Sequence, residues 1–330
     1  MPPRKLTRLA VLAPALAAAA LTTAPQAVAG PTTGPTTAPA LKVLTFNTFL
    51  MSQNLYPNWG QEHRAKAIPA AGFFQGNDVV VLQEAFDNSA SDALKRAASG
   101  QYPYQTPVVG RSRSGWDATG GSYSATTPED GGVTVLSKWP IVRKEQVVYK
   151  DACGSDSWSN KGFAYAELNV NGARVHIVGT HTQSTDSGCA AGEAVADRAA
   201  QFRQIAAFLD AKRIPAGEEV LVAGDMNVDS HGPEYQSMLA NAGLAPADAR
   251  TGHPYSFDTE ENSIAAYRYP TDPREDLDYV LHRKGHARPP GGWRNTVVKE
   301  TSAPWTVSSW GKDYTYTNLS DHYPLTAHGG

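Results

Sequence analysis

The sequence predicts an α/β domain whose β-sheets are covered by helices. Beyond residue 41, short β-rich runs alternate with helical ones, several apolar strands end in polar clusters, and an Asn171-Gly172 pair separates two strand candidates. The runs 42–49, 78–83, 132–137, 141–149, 162–170, 174–180, 219–224 and 277–282 combine apolar and β-branched residues at strand length. Asn-Gly is a strong two-residue hairpin signal, so 162–180 should be an antiparallel ribbon. Helices are expected at 61–73, 89–98, 193–212 and 232–241, with Ser91, Asp92 and Pro233 near starts that favour such residues.

The first residues address the compartment. Arg4, Lys5 and Arg8 precede an apolar run from Leu9 to Leu21, and Ala27-Val28-Ala29 offers a small-x-small cleavage site, so 1–29 is expected to be a signal peptide. An N-terminal membrane helix is the competing reading, but the run is short of the ~20 apolar residues that span a bilayer. Residues 30–40, rich in Thr, Pro and Gly, are expected to be a disordered leader. Candidate site residues from Asn47 to His322 then place both chain ends at one site, and 41–330 is expected to be a single domain of a secreted, extracellular protein.

The formal net charge is −3, and residues 1–29 carry three basic and no acidic residues, so the chain beyond them stands at −6. That balance lacks the Lys/Arg excess of a protein gripping nucleic acid through many phosphates. Cys153 and Cys189 suit a secreted protein as one disulfide, with two free buried thiols as the alternative.

Four strands end in VLTFN, VVVLQE, VHIVGTH and VLVAGDMN, presenting Asn47, Glu84, His181, Asp225 and Asn227 at strand ends, where a rigid scaffold can hold ligands. Each has a plainer reading. Asn47 suits a strand end, Glu84 a salt bridge, His181 a core histidine, and Asp225 and Asn227 turn chemistry. Spaced two apart on an extended segment, Asp225 and Asn227 should face one side. Asp278 in LDYV and Asp321-His322 in SDHYP add two acids and an imidazole. Together these supply hard oxygen ligands, a base and a carboxylate to orient it, the parts for metal-assisted hydrolysis.

The order Asn47, Glu84, His181, Asp225-x-Asn227, Asp278, Asp321-His322 resembles that of the DNase I-like endonuclease/exonuclease/phosphatase superfamily, over about residues 41–328. The stretches YPNWGQEHRA (56–65), EAFDNSASD (84–92), PEDGGVTVLSKWPI (128–141), SNKGFAYAELN (159–169) and YTYTNLSDHYP (314–324) are similar to the bacterial neutral sphingomyelinases, which are phospholipases C. The resemblance implies a four-layer α/β sandwich of two packed mixed β-sheets flanked by helices. It implies hydrolysis of sphingomyelin to ceramide and phosphocholine by in-line attack of water. Glu84 would be the principal Mg²⁺ ligand, with Asn47 close to metal and phosphate and Asp321 in the metal and water environment; Mn²⁺ or Co²⁺ could substitute. His322 would be the general base, oriented by Asp278. His181 and Asn227 would donate to phosphoryl oxygens, and Asp225 would orient this network or assist the leaving alcohol.

The same resemblance matches Asn88, Glu129 and Asp130 to a second metal site at the cleft edge, against the plainer reading of an acidic surface loop. It also pairs Cys153 with Cys189. The segment 293–316, holding Trp293, Trp305, Trp310, Tyr314 and Tyr316, corresponds to an exposed aromatic hairpin, with Trp310 and Trp305 as membrane-docking candidates. Gly311 departs from that pattern, which often has a second aromatic there. The implied partner is a phospholipid membrane carrying sphingomyelin, with no nucleic acid, no protein partner and a monomeric state. The alternatives are a same-fold enzyme on ethanolamine headgroups, a secreted nuclease, and a non-enzymatic membrane-binding protein.

Overall fold

The structure, a computed structural model, describes residues 40–329. The expected signal peptide, and the leader up to residue 39, lie outside the described residues. In chain order the first elements are β1 (Lys42–Asn47), α1 (Gln61–Ala70), β2 (Val79–Gln83), α2 (Asn88–Ala98), β3 (Tyr104–Gln105), β4 (Ala118–Gly121), β5 (Thr134–Ser137) and β6 (Ile141–Val148). Then come β7 (Gly162–Val170), β8 (Ala173–His181), α3 (Glu193–Lys212), β9 (Glu219–Asp225), α4 (Glu234–Ala242), β10 (Leu244–Ala245), β11 (Ala249–Gly252) and α5 (Ser263–Arg268). The last are β12 (Asp278–Arg283), β13 (Trp293–Val297), β14 (Trp305–Ser309), β15 (Lys312–Tyr316) and β16 (Leu325–Gly329).

Two mixed sheets form, ordered β11-β13-β16-β1-β2-β5-β3 and β10-β12-β9-β8-β7-β6-β4, with β14-β15 as a separate hairpin. Side chains alternate across each central strand. In β1, Val43 faces the core between the sheets while Leu44 and Phe46 face the outer cluster with Ile68 of α1 and Leu94 of α2. In β9, Leu221 and Ala223 join the inter-sheet core while Val220 and Val222 meet Phe202 and Ile205 of α3 and Met238 of α4. Because both faces are buried, these strands read as continuous apolar runs, and each fully buried Val or Leu contributes about 1.5–3 kcal/mol of transfer free energy. The result is the expected four-layer sandwich. At Gly179 the sheets approach so closely that a Cβ would lie 2.7 Å from Val81 of the facing sheet.

The ribbon of β7 and β8 pairs Val170 with Ala173 across Asn171 (φ 52°) and Gly172 (φ 94°), the positive-φ turn expected of Asn-Gly. Helix α1 stops at Ala70 rather than running to 73, because Pro69 lies in its last turn and Gly72 follows. Helix α2 is capped by Asp87, whose Oδ1 accepts from Ala90 N–H at 2.9 Å, which leaves Ser91 and Asp92 inside the helix. The edge strands β3, β4, β10 and β11, together with α5, β13 and β16, had no expectation, while β14 and β15 form the hairpin that the resemblance placed within 293–316. The edge strands have only two to four residues, too few to show a period.

Arg64 of α1 is fully buried, and its guanidinium donates to the carbonyls of Trp59 (2.7 Å), Thr48 (2.6 Å) and Phe49 (2.6 Å). It thereby fixes the chain as it leaves β1. Burial pulls its pKa down to about 10, against the opposing pull of Asp321 and Glu84.

Cys153 and Cys189 are joined in a disulfide across a sequence separation of 36. Replacing both by Ser should lower the unfolding free energy by about 4 kcal/mol, the chain-entropy value for a loop of that length. Denaturant unfolding of the oxidised protein and the double variant checks this; equal midpoints would show that the bond does not stabilise the fold.

Candidate active site

Parallel pairing of β1 with β2 and of β8 with β9 brings four strand ends to one edge of the sandwich. Antiparallel β12 begins there, with Asp278 opposite Asp225, and the chain passes through Asp321 and His322 just before β16 returns along β1. Residues nearly the whole chain apart thus converge.

Asn47 sits between the sheets' ends, 1 % exposed, and its Nδ2 donates to Glu84 Oε1 and to Asp225 Oδ2, both at 3.0 Å. Its Oδ1 accepts from Phe49 N–H at 3.0 Å. Asn47 therefore stands behind two carboxylates and is not among the residues lining the cleft. Glu84 follows β2 in a left-handed conformation (φ 50°), strain that a β-strand end would otherwise avoid. Burial, then the Asp321 charge, push Glu84 up to about 7, and the Asn47 hydrogen bond opposes them. Burial likewise raises Asp321. Ser320 Oγ, which donates to Asn47 O at 2.7 Å, ties the Asp321 segment to β1.

The two imidazoles have opposite environments. His322 Nδ1 lies 2.8 Å from Asp278 Oδ2, and its Nε2 lies 3.7 Å from Asp225 Oδ2. Burial works against the imidazolium there, but Asp278, Asp225 and Asp321 together outweigh it and hold the pKa well above its ordinary value. His181 Nε2 lies 3.3 Å from Lys161 Nζ and 3.6 Å from Asp225 Oδ2. Burial, reinforced by Lys161, pulls His181 down to about 3, so the ring is neutral. Its Nε2 thus faces both an ammonium and a carboxylate, while Nδ1 is buried without a partner among the described residues.

Asp225 Oδ1 accepts from Asn227 N–H at 2.9 Å. Asn227 is left-handed (φ 49°) rather than extended, so strand alternation does not aim it; the turn does, with Nδ2 donating to Thr182 O at 3.0 Å. Both residues line a cleft of about 350 Å³ together with Glu84, His181, Asp321 and His322. A larger cavity, about 640 Å³, opens between α1 and the 298–305 segment. It holds Glu300 but no comparable convergence of acids and imidazoles, so the chemistry belongs to the smaller cleft.

Asp225, Asp278 and His322 offer ligand atoms within 4.8 Å of one another. Asp278 Oδ2 is already engaged by the imidazole, which leaves Glu84 and Asp321 as the better cation ligands. Asp321 is buried and Glu84 partly buried, both are raised by the environment they share, and neither forms an ion pair with a side chain among the described residues. A divalent cation fits that pair of acids.

Asn88, Glu129 and Asp130 also come together, around a cavity of about 130 Å³. Burial, then Asp130, raise Glu129 to about 7, and burial raises Asp130 to about 6. Asp130 is bound through Oδ2 to Arg111 at 2.9 Å and through Oδ1 to Gly132 N–H at 2.8 Å, so only Glu129 and Asn88 remain free of a cationic partner.

The aromatic segment divides. Trp310 is 66 % exposed at the hairpin tip, where it and Gly311 (φ 51° and 71°) form the turn; Gly311 suits this left-handed position as a bulkier residue would not. Trp305 is not available to a membrane. It is buried against His63, Tyr316 and Gly60, and its Nε1 donates to Asn318 O at 3.1 Å. Trp293, Tyr314 and Tyr316 are buried as well. Alternating burial along a two-stranded hairpin sends one face into the protein, and Trp305 is on that face.

Lys161 and Asp156 were not anticipated. Lys161 is 5 % exposed, pairs with Asp156 at 2.8 Å and touches His181. A lysine at the start of an apolar strand is the signal that was present, since a buried ammonium needs a partner. Phe257, packed on His322 at 5.2 Å, and Tyr269 in the cleft wall carried no signal.

The Endonuclease/Exonuclease/phosphatase family profile matches residues 44–322. Sphingomyelinase C from Bacillus cereus is 47 % identical over 293 residues, covering 87 % of this chain and 88 % of that protein. The crystal structure of sphingomyelinase C from Streptomyces griseocarneus is 80 % identical with a TM-score of 0.87, covering 88 % of this chain and 100 % of the other. A double mutant of beta toxin from Staphylococcus aureus, crystallised with bound magnesium ions, is 46 % identical with a TM-score of 0.87 and the same coverage. With these likenesses added to the convergent acids and imidazoles at one sheet edge, the chain belongs to the endonuclease/exonuclease/phosphatase family, in its sphingomyelinase C branch.

Proposed function

We propose that the protein is a secreted, Mg²⁺-dependent phospholipase C that hydrolyses sphingomyelin to ceramide and phosphocholine, acting as a single domain over 41–330 behind a signal peptide. The observation that carries the chemistry is the His322–Asp278 pair, whose free Nε2 lies at the cleft lined by Glu84 and Asp321. The names and identities of the sphingomyelinase C relatives support the substrate.

Asp278 accepts from Nδ1–H, so Nε2 is the atom of His322 that exchanges a proton: it must first release the proton that the surrounding carboxylates favour, and the neutral ring then accepts one from the attacking water. Asp278 then stabilises the imidazolium that forms. Water oxygen bonds to phosphorus, and the bond from phosphorus to the ceramide oxygen breaks. His181 and the second Asn227 amide hydrogen donate to the phosphoryl oxygens, where preorganised donors act most strongly as charge builds. Asp225 holds Asn227 through its backbone N–H and accepts from Asn47, which fixes this network. Glu84 and Asp321, backed by Asn47, would hold the cation, with Glu129 and Asn88 for a weaker one at the edge. A bound Mg²⁺ supplies a Lewis acid that offsets the charge of the leaving alkoxide. Trp310 would meet the lipid surface.

Cation-dependent product release from a panel of sphingomyelin, phosphatidylcholine, phosphatidylethanolamine, ceramide phosphoethanolamine and plasmid DNA should be largest for sphingomyelin; cleavage of DNA alone would overturn the substrate. His322→Ala should lower turnover by about 10²- to 10⁴-fold with the fold intact. Asp278→Asn should act in the same direction and combine with it less than additively, because one unit is disabled twice. Near wild-type turnover in His322→Ala removes the base. Glu84→Gln should weaken Mg²⁺ binding measured by calorimetry. In the wild type, affinity should rise with pH and level off above about 7, since the Glu84 proton must leave before the carboxylate ligates. A pH-independent affinity, unchanged in Glu84→Gln, would exclude Glu84 as a ligand.

A further inference from the structure

Among the described residues, three large hydrophobic side chains are far more exposed than any other: Leu55 and Trp158 at 67 % and Trp310 at 66 %, against 48 % or less for the rest. All three stand on turns. Leu55 lies beyond the end of β1, in a turn whose Gln53 N–H donates to Asp87 Oδ2 at 2.9 Å. Asp87 caps α2, so this turn sits beside Asn88 and the edge cavity. Trp158 ends the short helical turn Gly154–Trp158, and its carbonyl accepts from the N–H of Glu129, which lines the same cavity, at 3.2 Å. Antiparallel pairing sets Phe163 opposite Thr180, so the segment entering β7 is level with His181. Trp310 projects from the tip of a hairpin whose Tyr314 packs against Tyr267 of α5, two residues before Tyr269 in the cleft wall, and Tyr56, next to Leu55, packs against the same aromatic cluster.

The Trp158 turn is held from every side. The Cys153–Cys189 bond closes its start, and Asp186 accepts from Ser155 N–H at 2.9 Å and Gly188 N–H at 2.7 Å. Asp156 accepts from Lys161 at 2.8 Å and from Ser184 N–H, in the cleft wall, at 2.8 Å. A turn fixed this firmly keeps the Trp158 backbone beside the cleft wall, and the indole it carries is exposed. Indole is the side chain best suited to the boundary between water and lipid.

We propose that Trp158, Leu55 and Trp310 form a discontinuous apolar rim that seats the protein on a zwitterionic phospholipid bilayer. This rests on the phospholipid reading above: a cleft that takes a lipid headgroup must lie against the bilayer, and the side chains standing furthest out at its mouth meet the lipid first. The bilayer is zwitterionic because Glu129, Asp151 and Asp186 flank the Trp158 turn and would be repelled by an anionic surface.

The test is co-sedimentation of the purified protein with phosphatidylcholine vesicles, with and without phosphatidylserine, beside hydrolysis of a soluble chromogenic phosphocholine ester. Trp158→Ala should weaken association about tenfold, the effect expected from losing a partly inserted ring, and Leu55→Ala by a smaller factor. The two should combine multiplicatively, as they act from separate turns. Ester turnover should be unchanged in both, Trp158→Phe should keep most of the association, and phosphatidylserine should not strengthen it. Wild-type sedimentation of Trp158→Ala overturns the rim. So does an equal loss of sedimentation and ester turnover in both Trp158→Ala and Trp158→Phe, which would mark the indole as a support for the cleft, and so does tighter binding to phosphatidylserine vesicles. Failure of the wild type to hydrolyse sphingomyelin would remove the substrate reading alone, since the sedimentation comparison decides the rim without it.

Discussion

One amide group joins the two halves of the molecule at the place where its charges collect. Asn47 Nδ2 donates at once to Glu84, at the end of a strand in one sheet, and to Asp225, at the end of a strand in the other. The inter-sheet core sets the distance between those strands, but apolar packing has no preference for which polar groups meet at its edge. The two amide hydrogens supply that preference. They also make a crowded site tolerable, because Asp225 and Asp321 are buried and Glu84 partly buried within reach of one another, and each unpaired carboxylate carries a desolvation cost. Asn47 is therefore placed behind the acids that face the cleft, and Arg64 pins the backbone that follows it.

The same crowding separates the two imidazoles. His322 and His181 are both buried and both lie within 4 Å of Asp225, yet one is pushed up and the other down. The difference is the second neighbour: Asp278 for His322, the Lys161 ammonium for His181. Titratable groups driven apart in this way are suited to different tasks, one to exchange a proton and the other to stay neutral and donate. Lys161 thus acts on the site through His181, and the Asp156 turn that holds Lys161 also carries the most exposed tryptophan. Catalytic edge and outer rim share a single stapled segment.

Much of this was legible in the chain. Regular strands and helices with both faces buried gave strong periodic or continuous apolar patterns, and the 162–170 strand and the 193–212 helix have the boundaries their residues imply. The site acids and imidazoles were visible because each interrupts an apolar run, where an ionisable side chain needs a reason to be. The disulfide followed from compartment and resemblance. The edge strands β3, β4, β10 and β11 were not legible, since two to four residues cannot show a period, and their pairing depends on partners distant in sequence.

By itself, the sequence determined the layer architecture, the convergent set from Asn47 to His322 and its family, because these depend on local pattern and on residue identity. Tertiary structure alone decided which atoms face the cleft. It turned Asn47 inward, gave Asn227 a left-handed backbone, bound Asp130 to Arg111, brought Lys161 to His181, and buried Trp305 while leaving Trp158 and Leu55 in solvent. The physical reason is that burial and charge at a point are sums over neighbours from every part of the chain. Trp305 and Trp310 lie in one aromatic segment, and only the packing of Gly60, His63 and Tyr316 on the first separates an anchor inside the protein from a ring outside it.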